Sequence, residues 1–447
     1  MYPYLPVTSE ERRRMLETVG VESIEELFVD IPSVVRCKGR LNLPGPLSEM
    51  EMVRHMKALA GKNKNLDDYA CFLGAGAYDH YVPSIINHIL LRQEFYTAYT
   101  PYQPEVSQGT LQAIFEYQTM ICELTGMEVS NASVYDGASA LAEAVAMACQ
   151  ATRRGEVMLS RTVHPEAREV VKTYSRFSGV SIKELGCQNG LTGLREAEER
   201  INDQISAIVV QNPNYFGALE DLTKFAELAH RHKALLIVSA DPIALGLLKP
   251  PGETGADIVV GEGQTLGNSL SFGGPYFGFM ATTEKLMRRL PGRIVGQTTD
   301  SEGNRGFILT LQAREQHIRR EKATSNICSN QALCALAATV YLTVLGKKGL
   351  RRVAELCLQK AHYTYRSLLE TGKFAPTFTA PFFKEFAVTS QEDTAVVNAR
   401  LMENKIIGGY PLDRDYPELK NSLLVAVTES RTRDEIDRLV KYSVITK

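Results

Sequence analysis

Leu235-Leu236-Ile237-Val238-Ser239-Ala240-Asp241-Pro242 and, shortly after, Asp257-Ile258-Val259-Val260-Gly261-Glu262-Gly263-Gln264-Thr265-Leu266-Gly267 decide how this chain folds. The first is a short apolar, partly β-branched run that stops on a carboxylate, the pattern of a strand buried on both faces of a sheet. Asp257 to Val260 reads as the next strand. A Gly-rich, nearly uncharged loop follows, then Ser271-Phe272-Gly273-Gly274-Pro275 and a third strand, Gly278 to Ala281. Ligands of open α/β sheets collect outside the carboxyl ends of strands, so Asp241 and the 261–275 loop are expected to line one site.

An acid ending one strand, with a Gly/Ser/Thr loop after the next, is the layout of pyridoxal phosphate enzymes of the aspartate aminotransferase type. There the acid pairs with the pyridinium nitrogen and a lysine in the second loop forms the Schiff base. Here that loop has no lysine. Lys249 and Lys285 are the nearest, on the far sides of the flanking strands, and the loop offers Gln264 instead. An amide nitrogen is not a usable nucleophile toward an aldehyde, so this covalent chemistry cannot start from the loop.

The alternation continues upstream. Strands at Val157–Leu159, Ser181–Leu185 and Ala207–Val210 are separated by helices at 165–177 and 194–202, and a further helix spans 219–233. This spacing argues for a mostly parallel sheet with helices on both faces. Earlier, Thr110 to Gly126 has helical spacing and ends on a glycine. Ser133 to Ala144 passes from an extended stretch through Gly137-Ala138-Ser139 into a small-residue helix, whose free amides could cradle an anion. Close packing explains the same small residues equally well. His164 before Pro165 could stack on a ring, though a capping role is the plainer reading.

Residues 68–105 are rich in aromatics, Gly and Pro. Gly74 to Pro83 carries Tyr78, His80 and Tyr81; Tyr96 to Glu105 carries Tyr99, Tyr102 and Gln103, with two prolines holding their predecessors extended. A wall of polar-tipped rings beside a pocket or an interface is the functional reading; rings packed on the core are the plainer one. Residues 1–55 read as an arm, with Thr8 or Ser9 capping one helix and Ser23 starting another.

Downstream, a helix is expected at Lys285–Leu290 and a Gly/Thr/Asp loop from there to Arg305. Gln316 to Ile327 places Arg319, Arg320 and Lys322 ahead of Thr324, Ser325 and Asn326, either an anion contact or a solvated charge run before a helix cap. An Ala-rich helix, Gln331 to Leu345, would then link the large domain (56–310) to a smaller C-terminal one (311–447). That second domain is expected to hold strands at 382–388 and 423–427 and helices at 394–403 and 433–442.

The chain's 447 residues exceed what one core supports, which favours two domains. A net charge of -2, with Lys+Arg 50 against Asp+Glu 52, gives no electrostatic case for nucleic acid or an anionic membrane. Mean hydropathy is -0.15, and no stretch reads as a run of about 20 apolar residues. Met1 to Pro6 carries no signal-peptide pattern. Eight scattered cysteines without a Cys-x-x-Cys pair argue for reduced thiols in a cytoplasmic protein, and against a metal site.

Several long runs carry a family resemblance: Gly74 to Pro83, Tyr99-Thr100-Pro101-Tyr102-Gln103-Pro104-Glu105, Asn131 to Gly137, Gln211-Asn212-Pro213-Asn214 and Gln316 to Cys328. In these the sequence resembles the two-subunit glycine dehydrogenases (decarboxylating), the P-proteins of the glycine cleavage system, and within them the alpha, or subunit 1, chains. The resemblance spans nearly the whole chain. It implies an α/β fold of the aminotransferase-like kind (pyridoxal phosphate fold type I), with a mostly parallel large-domain sheet and a smaller C-terminal α/β domain. It also implies a partner beta subunit that carries the pyridoxal phosphate on its own lysine, two chains of each kind assembling together. Glycine would be decarboxylated there and its aminomethyl group passed to the lipoyl arm of the H protein. Within this chain no catalytic residue is expected. Gly137, Ala138, Ser139, Asp241, Gln264 and Thr265 would form a degenerate cofactor site. Tyr78, His80, Tyr81, Tyr99, Tyr102, Gln103, Arg319, Arg320 and Asn326 are the candidates for pocket walls or an interface.

Overall fold

Strand residues that alternate in facing but are apolar at every position must be covered on both sides, and that requirement builds the centre of this molecule. A computed structural model of the chain describes residues 7–37, 39, 41–323 and 325–444. Met1–Pro6, read for a signal peptide, and Thr324 of the expected helix cap lie outside them. The strands are β1 (Val129–Ser130), β2 (Glu156–Ser160), β3 (Ser181–Leu185), β4 (Ile205–Asn212), β5 (Leu235–Ala240), β6 (Ile258–Glu262) and β7 (Gly278–Thr282). They form one sheet in the order β1-β7-β6-β5-β4-β2-β3. Strands β2 to β6 run parallel, and β7 is antiparallel to both of its neighbours.

Period-two facing divides the sheet's side chains between two cores. Ile208, Val210, Leu236, Val238 and Phe279 join one, with Tyr117, Ile121 and Phe225. Ala207, Val209, Ile237, Val260 and Met280 join the other, with Ala140, Leu141, Val145 and Val171. The covering helices include α1 (Gln108–Thr125), α2 (Gly137–Thr152), α3 (Pro165–Ser175) and α4 (Leu222–Arg231). Gly126 ends α1 in the left-handed region (φ 69), as its position in the sequence suggests. Asp136 caps α2, its Oδ1 accepting from Ser139 N at 2.7 Å. Gly137 lies so close to β6 that a Cβ there would sit 2.8 Å from Glu262 N.

Two downstream expectations are corrected. The loop expected up to Arg305 contains a β-hairpin, β8 (Ile294–Thr299) with β9 (Arg305–Thr310). Val295, Phe307 and Leu309 bury against Leu111 of α1, and that packing outweighs the polar composition of the turn. The Ala-rich helix does not stop at Leu345 but continues as α5 (Ala332–Glu370), broken only at Gly346 (φ 56). By length and composition α5 is apolar enough to cross a membrane, more than the sequence reading allowed for. Its residues Ala335, Ala337, Ala338 and Tyr341 belong to the core under the sheet.

Beyond α5 an antiparallel sheet forms from β10 (Phe374–Pro376), β11 (Glu385–Ser390), β12 (Tyr410–Pro411) and β13 (Ser422–Ala426), in the order β10-β11-β13-β12. Phe386, Val388, Leu423 and Val425 bury against helices Thr394–Glu403 and Arg433–Val444 through Val397, Leu401, Ile436 and Leu439.

By packing, the chain falls into two units, residues 1–64 and 65–447. The first holds helices Ser9–Val19 and Glu49–Ala60, each opened by a reciprocal capping box, Thr8 with Glu11 and Ser48 with Glu51. None of its described helical residues is buried within it.

Candidate functional site

The carboxyl ends of β4, β5 and β6 open into a cavity of about 410 Å³, bounded by the 75–78 loop, the start of α2, His164 and the head of β11. Asp241 follows β5. Its Oδ1 accepts from Ile243 N at 2.9 Å, and its Oδ2 meets the ammonium of Lys384 at 2.6 Å. Lys384, 2% exposed, immediately precedes β11. Its Nζ also lies 3.7 Å from the Tyr78 ring centroid and 3.2 Å from His80 Nε2. His80 Nδ1 is 2.6 Å from Glu429 Oε2, and Glu429 Oε1 accepts from Tyr81 N at 2.8 Å.

These contacts form a buried chain, Asp241–Lys384–His80–Glu429, that begins and ends on a carboxylate. Burial works against both acids, yet Lys384 holds Asp241 below its usual range, and His80 with Tyr81 N holds Glu429 down at about 2. Next to the chain, Glu385 accepts from Ala75 N at 2.7 Å and from the Tyr78 hydroxyl. Burial pushes Glu385 up to about 7, against the pull of those two hydrogen bonds and of the nearby Lys384 ammonium.

Gln264 is wholly buried. Its Nε2 donates to Tyr78 O (3.0 Å) and Asn268 O (2.7 Å), and its Oε1 accepts from Tyr78 N (2.9 Å). The amide therefore pairs with the peptide of Tyr78 much as a neighbouring strand would. A lysine could donate to those carbonyls but could not accept from Tyr78 N.

At the start of α2, Glu262 Oε2 accepts from Gly137 N (2.9 Å) while its Oε1 accepts from Gln264 N (3.1 Å). Burial pushes Glu262 up to about 7. Thr265 Oγ1, in the same lining, is buried and has no hydrogen-bond partner among the described residues. His164 caps α3: its Nδ1 accepts from Glu166 N at 3.2 Å, which leaves the proton on Nε2 to donate to Ala75 O at 3.0 Å. Its ring stands edge-on to Tyr215, 5.0 Å between centroids.

Of the residues singled out in the sequence, Tyr78, Gly137, Ala138, Asp241 and Thr265 line this cavity, and Gln264 is buried against the backbone of Tyr78. His80 stands behind Lys384, and Ser139 is engaged in capping α2. The others lie elsewhere. Tyr81, Tyr99, Tyr102 and Gln103 are exposed, as are Arg319, Arg320 and Asn326. Tyr102 does meet Arg293, whose guanidinium is 5.7 Å from its ring, and Tyr99 lines a separate cavity of about 190 Å³ with Tyr117 and Asn330. The sequence reading missed Lys384, Glu385, Glu262 and Glu429. A signal existed for three of them: Lys384-Glu385 is a charged pair inside the apolar run 382–388, and Glu262 is the single charge in its Gly-rich loop.

The family model for the glycine cleavage system P-protein matches residues 2–442. The chain belongs to the P-protein family. It is 58% identical over 436 residues to the probable glycine dehydrogenase (decarboxylating) subunit 1 of Desulforamulus reducens, covering 98% of each chain. A crystal structure of glycine decarboxylase (P-protein) of the glycine cleavage system, in inhibitor-bound form, superposes with a TM-score of 0.91 at 47% identity, over 98% of this chain and 99% of that one. The sphingosine-1-phosphate lyase of Burkholderia pseudomallei shares the fold alone, with a TM-score of 0.65 at 14% identity and coverage of 92% and 93%. The fold is therefore pyridoxal phosphate fold type I, as expected from the P-protein resemblance.

The residues present do not fit pyridoxal phosphate. Among the described residues, the cavity lining includes one lysine, Lys384, and it is held by Asp241. Lys249 and Lys285 are exposed. The cavity can exchange protons through Glu262 and Glu385, but it offers no free amine for an aldehyde.

Proposed function

We propose that this chain is the non-catalytic subunit of a decarboxylating glycine dehydrogenase, the P-protein of the glycine cleavage system. In this reading a partner beta subunit carries the pyridoxal phosphate, and two chains of each kind assemble. Glycine is decarboxylated in the partner's site, and its aminomethyl group passes to the lipoyl arm of the H protein. The present chain supports the partner's fold, with the aromatic surface around Tyr81, Tyr99 and Tyr102, together with Gln103, Arg319, Arg320 and Asn326, turned toward the partner or the lipoyl entrance. The division into arm (1–55), large domain (56–310) and small domain (311–447) belongs to the same reading. So does a cytoplasmic location, which the free cysteines support.

The observation that carries the proposal is Gln264. It stands in the loop where the fold type uses a lysine, and its amide is fully engaged with Tyr78 and Asn268. An autonomous lyase using another lysine is the competing reading, and the ion pair between Lys384 and Asp241 speaks against it. The deciding experiment is borohydride reduction of the chain with pyridoxal phosphate, alone and with its partner, followed by peptide mass mapping. A label on the partner's lysine and none here is expected; a label on Lys384, Lys249 or any other lysine of this chain would overturn the proposal.

A further inference from the structure

We propose that the vestigial site is closed from within: Lys384 occupies the place of a pyridinium and Glu262 the place of a phosphate, so the loss of the lysine is only one of three barriers to the cofactor. The inference rests on the proposed function for the statement that catalysis lies elsewhere, and otherwise on this chain's own contacts.

The two charged ends of pyridoxal phosphate need a carboxylate for the ring nitrogen and free amide donors for the phosphate. Both are present in this chain, and both are taken. Asp241 faces the cavity at the end of β5, but its Oδ2 is bound by Lys384, an ammonium further held by His80 Nε2 and the Tyr78 ring. A ring nitrogen could reach Asp241 only by displacing a buried ammonium and leaving it unpaired.

At the other end, α2 is sixteen residues long and presents its first amide to the cavity. That amide, Gly137 N, already donates to Glu262, and Ser139 N donates to Asp136. An incoming phosphate would meet two carboxylates where it needs donors. Thr265 Oγ1 is the left-over group of such a cradle, buried in the same lining with no hydrogen-bond partner among the described residues. The charges also tie the fold together, because Lys384 and Glu385 reach from the head of β11 to β5 and to the 75–78 loop. In an assembly with one functional site per pair of unlike chains, such closure keeps this chain from competing for cofactor.

Two full-length variants test this with pyridoxal phosphate and borohydride, read as label mapped to position 264. The work is done well above the Glu262 value of about 7, so that its carboxylate is charged. Gln264→Lys alone is expected to give no label above background. Gln264→Lys combined with Glu262→Ser and Lys384→Met is expected to give at least tenfold more. Equal labelling in the single and triple variants would overturn the proposal, and so would a folded triple variant that takes no label.

Should the triple variant not fold, the single Glu262→Ser chain is titrated with inorganic phosphate. At least tenfold tighter binding than the parent chain is expected, and equal binding overturns the proposal. Label on the partner subunit reports on the proposed function, whereas label at position 264 and phosphate affinity report on the closure. The two can therefore fail separately.

Discussion

The interior around Asp241 and the aromatic surface around Tyr99 are built on opposite terms. Inside, nearly every polar group has found a partner within the chain: Asp241 with Lys384, His80 with Glu429, Gln264 with Tyr78, and Glu262 with two backbone amides. Outside, Tyr81, Tyr99, Tyr102 and Val106 are all more than half exposed. A site that serves a substrate keeps donors and acceptors unspent, whereas a site that serves the fold spends them. The cavity therefore reads as structure, and the surface as the region with something left to offer.

The sharpest break in that contrast is Lys384→Met. It leaves the Asp241 carboxylate buried without its cation, and the expected loss is about 3–5 kcal/mol of folding stability in denaturant titration. Adding Asp241→Leu should return most of the loss, since apolar groups that replace both partners carry no desolvation penalty. A variant pair whose losses simply add would mean that the two groups are not coupled.

Gln264→Ala comes next, at about 3 kcal/mol, because three buried hydrogen bonds go and leave Tyr78 N, Tyr78 O and Asn268 O unpaired. Gln264→Glu should cost at least as much. It keeps the acceptor for Tyr78 N but turns the donor that served two carbonyls into a second acceptor.

The buried acids respond to pH in opposite directions. Glu429 is depressed in the folded chain, from the ordinary 4.5 to about 2, so its contribution is fully present above 4.5 and is lost as pH falls toward 2. Glu262 and Glu385 are raised from 4.5 to about 7, so the folded state binds their protons more tightly than the unfolded chain does. Stability should then decline as pH rises from 4.5 to about 7 and flatten beyond it. Measured against the parent chain, Glu262→Gln should soften that neutral decline, and Glu429→Gln should soften the acid one. A Glu262→Gln profile parallel to the parent's between 5 and 7 would show that this carboxyl titrates normally.

Much of the fold was legible because the sheet announces itself locally. Strands β3 and β5 begin and end at the residues expected for them, and Gly126 stops α1 where a left-handed residue is needed. The hairpin at 294–310 was not legible, since its strands gain their apolar contacts only from α1, far away in sequence. The site divides the same way. Asp241 and Gln264 could be read from one continuous stretch, whereas Lys384 and Glu429 enter from residues more than a hundred positions downstream. A charged pair inside an apolar strand marks a buried partner without saying which one. His80 shows the converse, for a local cluster of rings gives no hint that its imidazole faces an ammonium and a carboxylate.

Tyr99→Ala carries the smallest expected effect on the chain itself. At 79% exposure the ring contributes little to folding, and the stability change should stay within about 0.5 kcal/mol. An aromatic ring in that position gains free energy only when something covers it, so the effect should move to association with the partner subunit. Truncation of a covered ring typically costs about 1–2 kcal/mol, which a binding titration would read as roughly a tenfold weaker complex. Comparing Tyr99→Ala with Tyr99→Phe separates the ring from its hydroxyl: if only the alanine variant weakens assembly, the contact is apolar. Glycine turnover measured at saturating partner then distinguishes two roles for the same surface. Full recovery would make it an assembly face, while turnover that stays low in a fully assembled complex would mean that the ring reaches the partner's site.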